Sequence, residues 1–304
     1  MTCLQPLRQI KAGALDIAVY EAGPVDGMPM GLMHESPHDI HACAELAPLL
    51  ADQGHLVYPP CLRGCGATRF LNAAAPQSGE QAGLISALLA LMDAPAVPRA
   101  VLAGYGRDGR AACVVAALWP ERCAALISLN SDNIQNIAAA KVPDSPENER
   151  STWYQYYFRS ARGRAGLTAD RRGLNSLLWE LWSPTWNFDV PPCDRSAAAF
   201  DNADFVDVVI HSYSRRFGLM VGNFALTDID RRQAAQPPLT VPSITFDGAD
   251  DVVLPPAQAE QHARQVTDPR CHRSVPGVGH NLPQEVPQLF AEAVLEQTHQ
   301  SLAI

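Results

Sequence analysis

The 304-residue chain has few charged residues and lacks the marks of several protein classes. Charged residues make up 18% of it, and its formal net charge of −9 argues against a nucleic-acid or anionic-membrane surface, because both need clustered cations. No apolar run approaches the roughly 20 residues that cross a bilayer. The segment 1–11 lacks the long apolar stretch of a signal peptide. We therefore expect a cytoplasmic protein with no nucleic-acid and no membrane partner.

The chain also lacks regular cysteine spacing, internal repeats and a dinucleotide-binding fingerprint. Its eight cysteines do not resemble a disulfide framework and are expected to be mostly reduced. Gly104-Tyr105-Gly106 continues as Arg-Asp-Gly, which departs from the glycine-rich loop of nucleotide-binding proteins. No cofactor is implied. Apolar residues make up 47% of the chain, which is enough for a full core.

Short apolar runs alternate with helical patterns, which is typical of a mainly parallel sheet flanked by helices. The predicted strands lie at 15–21, 30–33, 56–58, 100–103, 125–129, 243–246 and 272–275. The predicted helices lie at 41–53, 80–92, 109–118, 256–265 and 287–297. The helix at 109–118 is rich in alanine, which favours close packing on a sheet, and Pro120 ends it.

The alternation is interrupted between about residues 133 and 238, where the sequence is rich in Trp, Tyr and Arg. Leu177, Leu178, Leu181 and Trp182 recur there at helical spacing. A long helical insertion usually forms a cap over the strand ends, where open parallel sheets bind ligands. We therefore predict a core domain of residues 1–132 and 239–304 and a helical cap domain of residues 133–238.

Four motifs occur in order along the chain. They are His34-Glu35-Ser36-Pro37, Arg63-Gly64-Cys65-Gly66, Gly104-Tyr105-Gly106-Arg107-Asp108-Gly109, and Gly248-Ala249-Asp250-Asp251 followed by Gly277-Val278-Gly279-His280. The series resembles the α/β-hydrolase family, in its epoxide hydrolase and dehalogenase branch, over nearly the whole chain. The resemblance implies an α/β fold with a mainly parallel central sheet and a helical cap inserted after the sixth strand. It also implies a nucleophile on a sharp strand-to-helix turn, here called the elbow, followed along the chain by an acid and a histidine.

The resemblance assigns His280 as the general base and Asp251 as the acid that orients it, with Asp250 as the alternative. At the elbow, this branch commonly reads Gly-x-Asp-Trp-Gly-Gly. Here Gly106 stands at the nucleophile position, and it has no side chain that could attack a substrate. Arg107 and Asp108 also depart from the pattern.

Asp108 is an alternative nucleophile if the elbow is shifted by two residues. Arg110 would then stand where the motif needs a small residue, which argues against the shift. We expect Arg107 and Asp108 to pair with each other or with a ligand.

A second departure lies in the loop after the predicted strand at 30–33. The family usually reads His-Gly-x-Pro, and the glycine lets a backbone N–H approach the developing oxyanion. Glu35 adds bulk and negative charge at that point. We expect His34, Glu35 and Arg107 to contact the substrate, with Arg107 offsetting the charge of Glu35.

Cap tyrosines donate hydrogen bonds to the epoxide oxygen in epoxide hydrolases, and Tyr154 and Tyr213 resemble that element. Tyr156 and Tyr157 are alternatives to Tyr154. Trp182 is a further pocket candidate, and core packing is the competing interpretation of all these aromatic residues.

Several side chains near the strand ends belong to types that bind zinc. They are His34, Glu35, His38, Cys61, Cys65 and Asp108. They match no established metal motif, so we predict no metal site.

Three functions remain open. The first is an enzyme that acts on a small hydrophobic molecule in a capped pocket by a non-covalent route, with His280 and Asp251 activating water or moving a proton. The second is a catalytically inactive, ligand-binding homologue. The third is a hydrolase that uses Asp108 as a displaced nucleophile. The sequence also leaves room for a homodimer.

Overall fold

The computed structural model describes residues 4–130, 133–186, 195–254, 265–267 and 272–302. Its strands, in chain order, are β1 (Leu7–Ala12), β2 (Leu15–Tyr20), β3 (Pro29–Met33), β4 (Leu56–Tyr58), β5 (Arg69–Phe70), β6 (Ala100–Tyr105), β7 (Cys123–Leu129), β8 (Ser243–Gly248) and β9 (His272–Val275). Six of them form a parallel sheet in the order β4-β3-β6-β7-β8-β9. The predicted parallel sheet is therefore confirmed. The predicted strand at 15–21 lies instead in a separate antiparallel sheet, β1-β2-β5.

The described α-helices flank the parallel sheet and fill the long segment between β7 and β8. In chain order they are α1 (Leu46–Asp52), α2 (Gln81–Asp93), α3 (Gly106–Leu118), α4 (Pro146–Ser151), α5 (Trp153–Tyr157), α6 (Ala161–Ala169), α7 (Arg171–Trp182), α8 (Phe205–Arg216), α9 (Thr227–Ala234), α10 (Leu282–Glu285) and α11 (Pro287–Leu302). The predicted helix at 41–53 is a 3₁₀ turn, Ile40–Cys43, followed by α1. The predicted helix at 256–265 lies almost entirely outside the described residues.

Both faces of the parallel sheet are covered, which is why β6 and β7 are buried along their whole length. Leu46 of α1 and Val294 of α11 pack on one face. Ile85 of α2 and Val114 of α3 pack on the other. Two apolar layers therefore fix the sheet, and with it the edge at which the strands end.

Helix α3 crosses β6 at very short range because two glycines face each other. A Cβ at Gly104 would lie 2.8 Å from the Cα of Gly109, which is closer than real Cβ atoms approach. Ala111 and Ala112 continue this small-residue face and are buried. The helix also begins at Gly106, earlier than the predicted start at Gly109, so its first turn lies directly at the end of β6.

The helices between β7 and β8 have an apolar core of their own. Phe158, Leu178 and Phe205 belong to it. The predicted helical spacing in α7 is confirmed, but only Leu178 and Trp182 are buried, whereas Leu177 and Leu181 are 42% and 43% exposed. The segment follows the seventh strand in chain order rather than the sixth, and two of the strands before it, β1 and β5, were not predicted from the sequence. Among the described helices, none is both long and apolar enough to cross a bilayer.

Candidate active site

Four candidate residues lie just beyond the carboxyl ends of strands in the parallel sheet. Gly106 directly follows β6, while Glu35 follows β3, Asp251 follows β8 and His280 follows β9. Since parallel strands end at the same edge of a sheet, these loops converge there. The sheet topology therefore brings together residues that are up to 245 positions apart.

His280 lies between two carboxylates. Its Nδ1 is 2.8 Å from Asp251 Oδ2, and its Nε2 is 2.8 Å from Glu35 Oε2. The other Asp251 oxygen accepts hydrogen bonds from the backbone N–H groups of Val253 and Leu254, at 2.7 and 3.0 Å. Asp250, the alternative acid, is exposed. The three side chains form a buried carboxylate–imidazole–carboxylate chain.

The carboxylate of Glu35 occupies the elbow. Gly106 has a φ of +58°, and a Cβ built on it would collide with this carboxylate: even the more distant oxygen, Oε1, lies 2.5 Å from that position. The same Oε1 accepts a hydrogen bond of 2.8 Å from the backbone N–H of Arg107, the first amide after the elbow residue. The side chain of Glu35 therefore fills the space that an elbow side chain would take.

The charges around His280 determine its protonation. Burial by itself would lower the pKa of His280, but the carboxylates of Asp251 and Glu35 outweigh it and raise this pKa to about 10. At neutral pH the ring is therefore an imidazolium that donates one N–H to each carboxylate. The residue predicted as a general base rests in its acid form.

Arg107 and Asp108 pair with each other, one of the arrangements that the sequence led us to expect. Arg107 Nη2 lies 2.9 Å from Asp108 Oδ2, which also accepts from the backbone N–H of Ser36 at 3.1 Å. Arg107 donates its backbone N–H to Glu35, and the charge of Glu35 is also one of the causes that raise the pKa of the Arg107 guanidinium, which agrees with the expected charge compensation. Both ring nitrogens of His280 bond to other carboxylates, and Asp108 bonds instead to Ser36 and Arg107, which disfavours Asp108 as a nucleophile.

A cavity of about 1000 Å³ lies above the elbow, and its lining includes neither His34 nor Trp182, contrary to the expectation that they contact substrate. His34 Nδ1 lies 3.1 Å from the backbone oxygen of Glu35, and its Nε2 accepts from the Leu62 N–H at 3.2 Å. Burial lowers the pKa of His34, so the ring is neutral and its Nδ1–H donates to Glu35. Trp182 packs edge-on against His280, with ring centroids 5.1 Å apart. His34 therefore contacts the backbone of Glu35, and Trp182 contacts the ring of His280, outside the cavity lining.

Glu35, Gly106, Arg107 and His280 line the cavity above the elbow together with both candidate tyrosines. Apolar side chains such as Ile134 and Leu254 form part of its wall, and exposed residues such as Lys141 and Asp144 also border it. The cavity is large enough for a small organic molecule.

Tyr154 and Tyr213 lie in edge contact in this cavity, with ring centroids 5.6 Å apart. Burial raises the pKa of Tyr154 well above its usual value and that of Tyr213 to about 12. Both hydroxyls are therefore protonated and can donate. Gln155 Nε2 donates to Tyr154 Oη at 3.3 Å, which leaves the hydroxyl hydrogen of Tyr154 for a ligand. Tyr156, by contrast, is 39% exposed.

Sequence reasoning missed Asn130, which directly follows β7. Its Nδ2 donates to the backbone oxygens of Gly279 and His280, at 3.1 and 2.8 Å. Its Oδ1 accepts from the N–H of Gly248 at 2.8 Å. The side chain thus ties the loop that carries His280 to the end of β8. Its position at a strand end was the available signal.

The candidate zinc ligands do not form a metal cluster. Among the residues that the structure describes, no group of three or more His, Cys, Asp or Glu side chains could hold a metal ion. Cys61 and Cys65 are free and buried, and burial raises the pKa of the Cys61 thiol to about 12.

Comparisons with known proteins point to one family, although no protein-family model matches the chain. A solved structure from Klebsiella pneumoniae subsp. pneumoniae MGH 78578, described as a "putative epoxide hydrolase", is 38% identical and superposes with a TM-score of 0.92 over 96% of this chain and 97% of its own. A Pseudomonas aeruginosa protein of the same description has the same fold, at 19% identity and a TM-score of 0.78 over 98% and 96% of the two chains.

Among curated proteins, Epoxide hydrolase A of Mycobacterium tuberculosis (strain ATCC 25618 / H37Rv) is 24% identical over 321 residues, covering 95% of this chain and 96% of that protein. The level of identity to the Klebsiella protein and the shared sheet architecture agree with the motifs in the sequence. The chain belongs to the α/β-hydrolase family, in its epoxide hydrolase-like branch.

Proposed function

We propose that this protein is a hydrolase that opens small, largely hydrophobic epoxides with water to give diols. The observation that carries the proposal is the buried chain Glu35–His280–Asp251 at the elbow, facing a cavity that also holds two protonated tyrosines. A carboxylate, an imidazolium and hydroxyl donors are the groups that ring opening by water needs. The substrate class follows from the relatives.

Each residue has a role in this proposal. Tyr154 and Tyr213 hydrogen-bond the ring oxygen of the substrate. His280 supplies and recovers a proton, and Asp251 holds the imidazole in the orientation that points Nε2 at Glu35. Residues 133–238 act as the cap domain over a core of residues 1–132 and 239–304, since both tyrosines belong to that segment.

The test compares the protein with three variants, Glu35→Gln, His280→Gln and Asp251→Asn, on a panel of small epoxides, haloacids and aryl esters. Product is followed by chromatography. We expect diol from at least one epoxide, and a loss of kcat of about 10³-fold or more in the first two variants. Asp108→Asn tests the displaced-elbow hydrolase, since a loss there as large as in Glu35→Gln would favour Asp108 as the nucleophile. A panel on which the protein forms no product, or equal turnover in Glu35→Gln, would contradict the proposal.

One observation favours the second candidate, a ligand-binding homologue without activity. The Arg107 N–H, which an elbow normally offers to a developing oxyanion, is already bonded to Glu35. A non-catalytic protein would bind epoxides or diols without converting them. Equilibrium binding without turnover in the same panel would favour this candidate.

A further inference from the structure

Glu35 and a side chain at position 106 exclude each other. The carboxylate of Glu35 lies where the Cβ of an elbow residue would be, so this site can hold a carboxylate from one position or the other. The prediction of a non-covalent route depended on an elbow without a reactive group. That premise fails, because the loop after β3 delivers a carboxylate to the elbow.

The bonds to Glu35 orient its two oxygens differently. Oε1 accepts from the Arg107 N–H, and Oε2 accepts from His280 Nε2. A carboxylate oxygen has two lone pairs, so each oxygen keeps one that is not used by these bonds. Glu35 also lines the cavity, so this carboxylate faces the space in which a substrate would bind.

The direct contact between Glu35 and His280 argues against activation of water by His280 in the resting site. Their atoms are 2.8 Å apart, which leaves no space for a water molecule between them. His280 is moreover protonated. The unused lone pair that can attack an electrophilic carbon is therefore on the carboxylate of Glu35.

We infer that Glu35 is a covalent nucleophile, relocated from the elbow to the loop after β3, and this inference rests on the proposed epoxide hydrolysis. Glu35 Oε2 forms a bond to a ring carbon of the epoxide, and the bond between that carbon and the ring oxygen breaks. The electron pair goes to the ring oxygen, which takes the proton that His280 carries. The products of this step are a hydroxyalkyl ester of Glu35 and a neutral His280.

The second step restores the resting state. With Glu35 esterified, its negative charge is gone, so His280 can act as a base and take a proton from water. The resulting hydroxide adds to the ester carbon while the Arg107 N–H stabilises the charge that develops on Oε1. Collapse breaks the bond to the alkyl oxygen, and the carboxylic acid gives its proton to that oxygen. The diol leaves, Glu35 is again a carboxylate and His280 is again an imidazolium.

The route leaves an isotopic signature that does not depend on mutagenesis. In a single turnover with enzyme in excess in water labelled with ¹⁸O, the diol should contain no label, because its new oxygen comes from Glu35. The label should appear in the Glu35 carboxylate, where mass spectrometry of the peptide that contains Glu35 detects it. After many turnovers, both the diol and Glu35 should carry label.

The outcomes separate this inference from the proposed function. A first-turnover diol that contains ¹⁸O, with an unlabelled Glu35, would overturn the inference and leave epoxide hydrolysis intact. Label in Asp108 instead would overturn it in favour of the displaced elbow. Absence of both turnover and label would overturn the proposed function and the inference together.

Two substitutions at Glu35 test the geometry. Glu35→Gln keeps the shape and removes the charge, and we expect a loss of kcat of about 10³-fold or more with no ester formed. Glu35→Asp keeps the charge but withdraws the carboxylate from the elbow by one methylene, and we expect a loss of about 10²-fold because the reacting atoms are misplaced. Circular dichroism checks that both variants fold. Wild-type kcat in folded Glu35→Gln would overturn the inference.

Discussion

At the scale of single residues, the carboxylate of Glu35 occupies the space of a side chain at Gly106. A loop glutamate reaches the elbow only if the elbow residue has no side chain and tolerates a φ of +58°. Gly106 and Glu35 are therefore two halves of one feature. Considered separately, Gly106 suggests a lost nucleophile and Glu35 suggests an obstructed oxyanion site.

Gly106→Ala should expel Glu35 from the elbow. The added Cβ overlaps the carboxylate, and alanine is also strained at this φ, so we expect a loss of about 1–3 kcal/mol in unfolding free energy and of at least about 10²-fold in kcat. Urea unfolding and steady-state kinetics measure the two effects.

Gly54→Ala is the matched control. Gly54 has a φ of +83° but nothing lies within 4 Å of an added Cβ, so that variant should lose stability and keep its activity. Full activity in Gly106→Ala would mean that Glu35 need not occupy the elbow.

The pKa of His280 near 10 predicts an unusual dependence of the rate on pH. Below that value His280 keeps its proton, so kcat/KM should stay level through about pH 9 and fall as the pH rises through about 10. A histidine that acts first as a base, with its ordinary pKa near 6.5, would instead give a rate that rises through pH 6.5.

The neighbouring Asp247 is the control for this profile. Burial, together with the charge of Asp251, raises the pKa of Asp247 to about 7, so Asp247 titrates close to the ordinary pKa of a histidine. The profile is therefore repeated in Asp247→Asn. A rise through pH 6.5 that persists in this variant would contradict the imidazolium assignment.

At the scale of elements, the ends of four parallel strands position the chemistry. The sequence predicted these strands well because each is a short apolar run between turn residues. It also predicted His280 and Asp251, whose loops resemble a known pattern. It could not predict the contact between Glu35 and Gly106, because no local pattern reveals how far a side chain reaches across a sheet edge. The only signal in the sequence was that Gly106 and Glu35 both depart from the family pattern.

The end of β7 supports the same site through Asn130. Asn130→Gly keeps the freedom to adopt the positive φ of 43° but removes three hydrogen bonds that hold the His280 loop. We expect kcat to fall by about 10- to 100-fold with a smaller change in KM, since the imidazole would be displaced rather than the substrate.

Asn136→Ala is the control for this prediction, because Asn136 also lines the cavity but lies at an exposed position. Equal kcat in Asn130→Gly and the wild type would show that the loop keeps its position without this side chain.

At the scale of the whole molecule, an exposed apolar segment between α8 and α9 bears on the homodimer for which the sequence leaves room. Leu219, Val221 and Phe224 are 59%, 77% and 85% exposed, and such patches commonly mark interfaces. Light scattering should give the mass of two chains, and the double variant Val221→Ser/Phe224→Ser should give that of one. Val25→Ser, at a position 84% exposed in a different part of the chain, should leave the dimer intact. A wild-type mass of one chain would contradict the homodimer.

The overall architecture was more predictable than its inserted helices. Apolar periodicity indicated the parallel sheet and located α7. It did not indicate which face of α7 is buried, since Leu177 and Leu181 have the same character as Leu178 and yet point outward. Burial in such a segment depends on what packs against it, and a single sequence does not contain that information.

The most direct test of the account moves the carboxylate back to the elbow. Glu35→Gly, Gly106→Asp and the double variant Glu35→Gly/Gly106→Asp are compared by kcat/KM on the best epoxide. We predict that Glu35→Gly loses about 10³-fold or more, that Gly106→Asp is also impaired because two carboxylates compete for one space, and that the double variant recovers part of the activity. Wild-type kcat/KM in Glu35→Gly would contradict the claim that Glu35 replaces the elbow nucleophile.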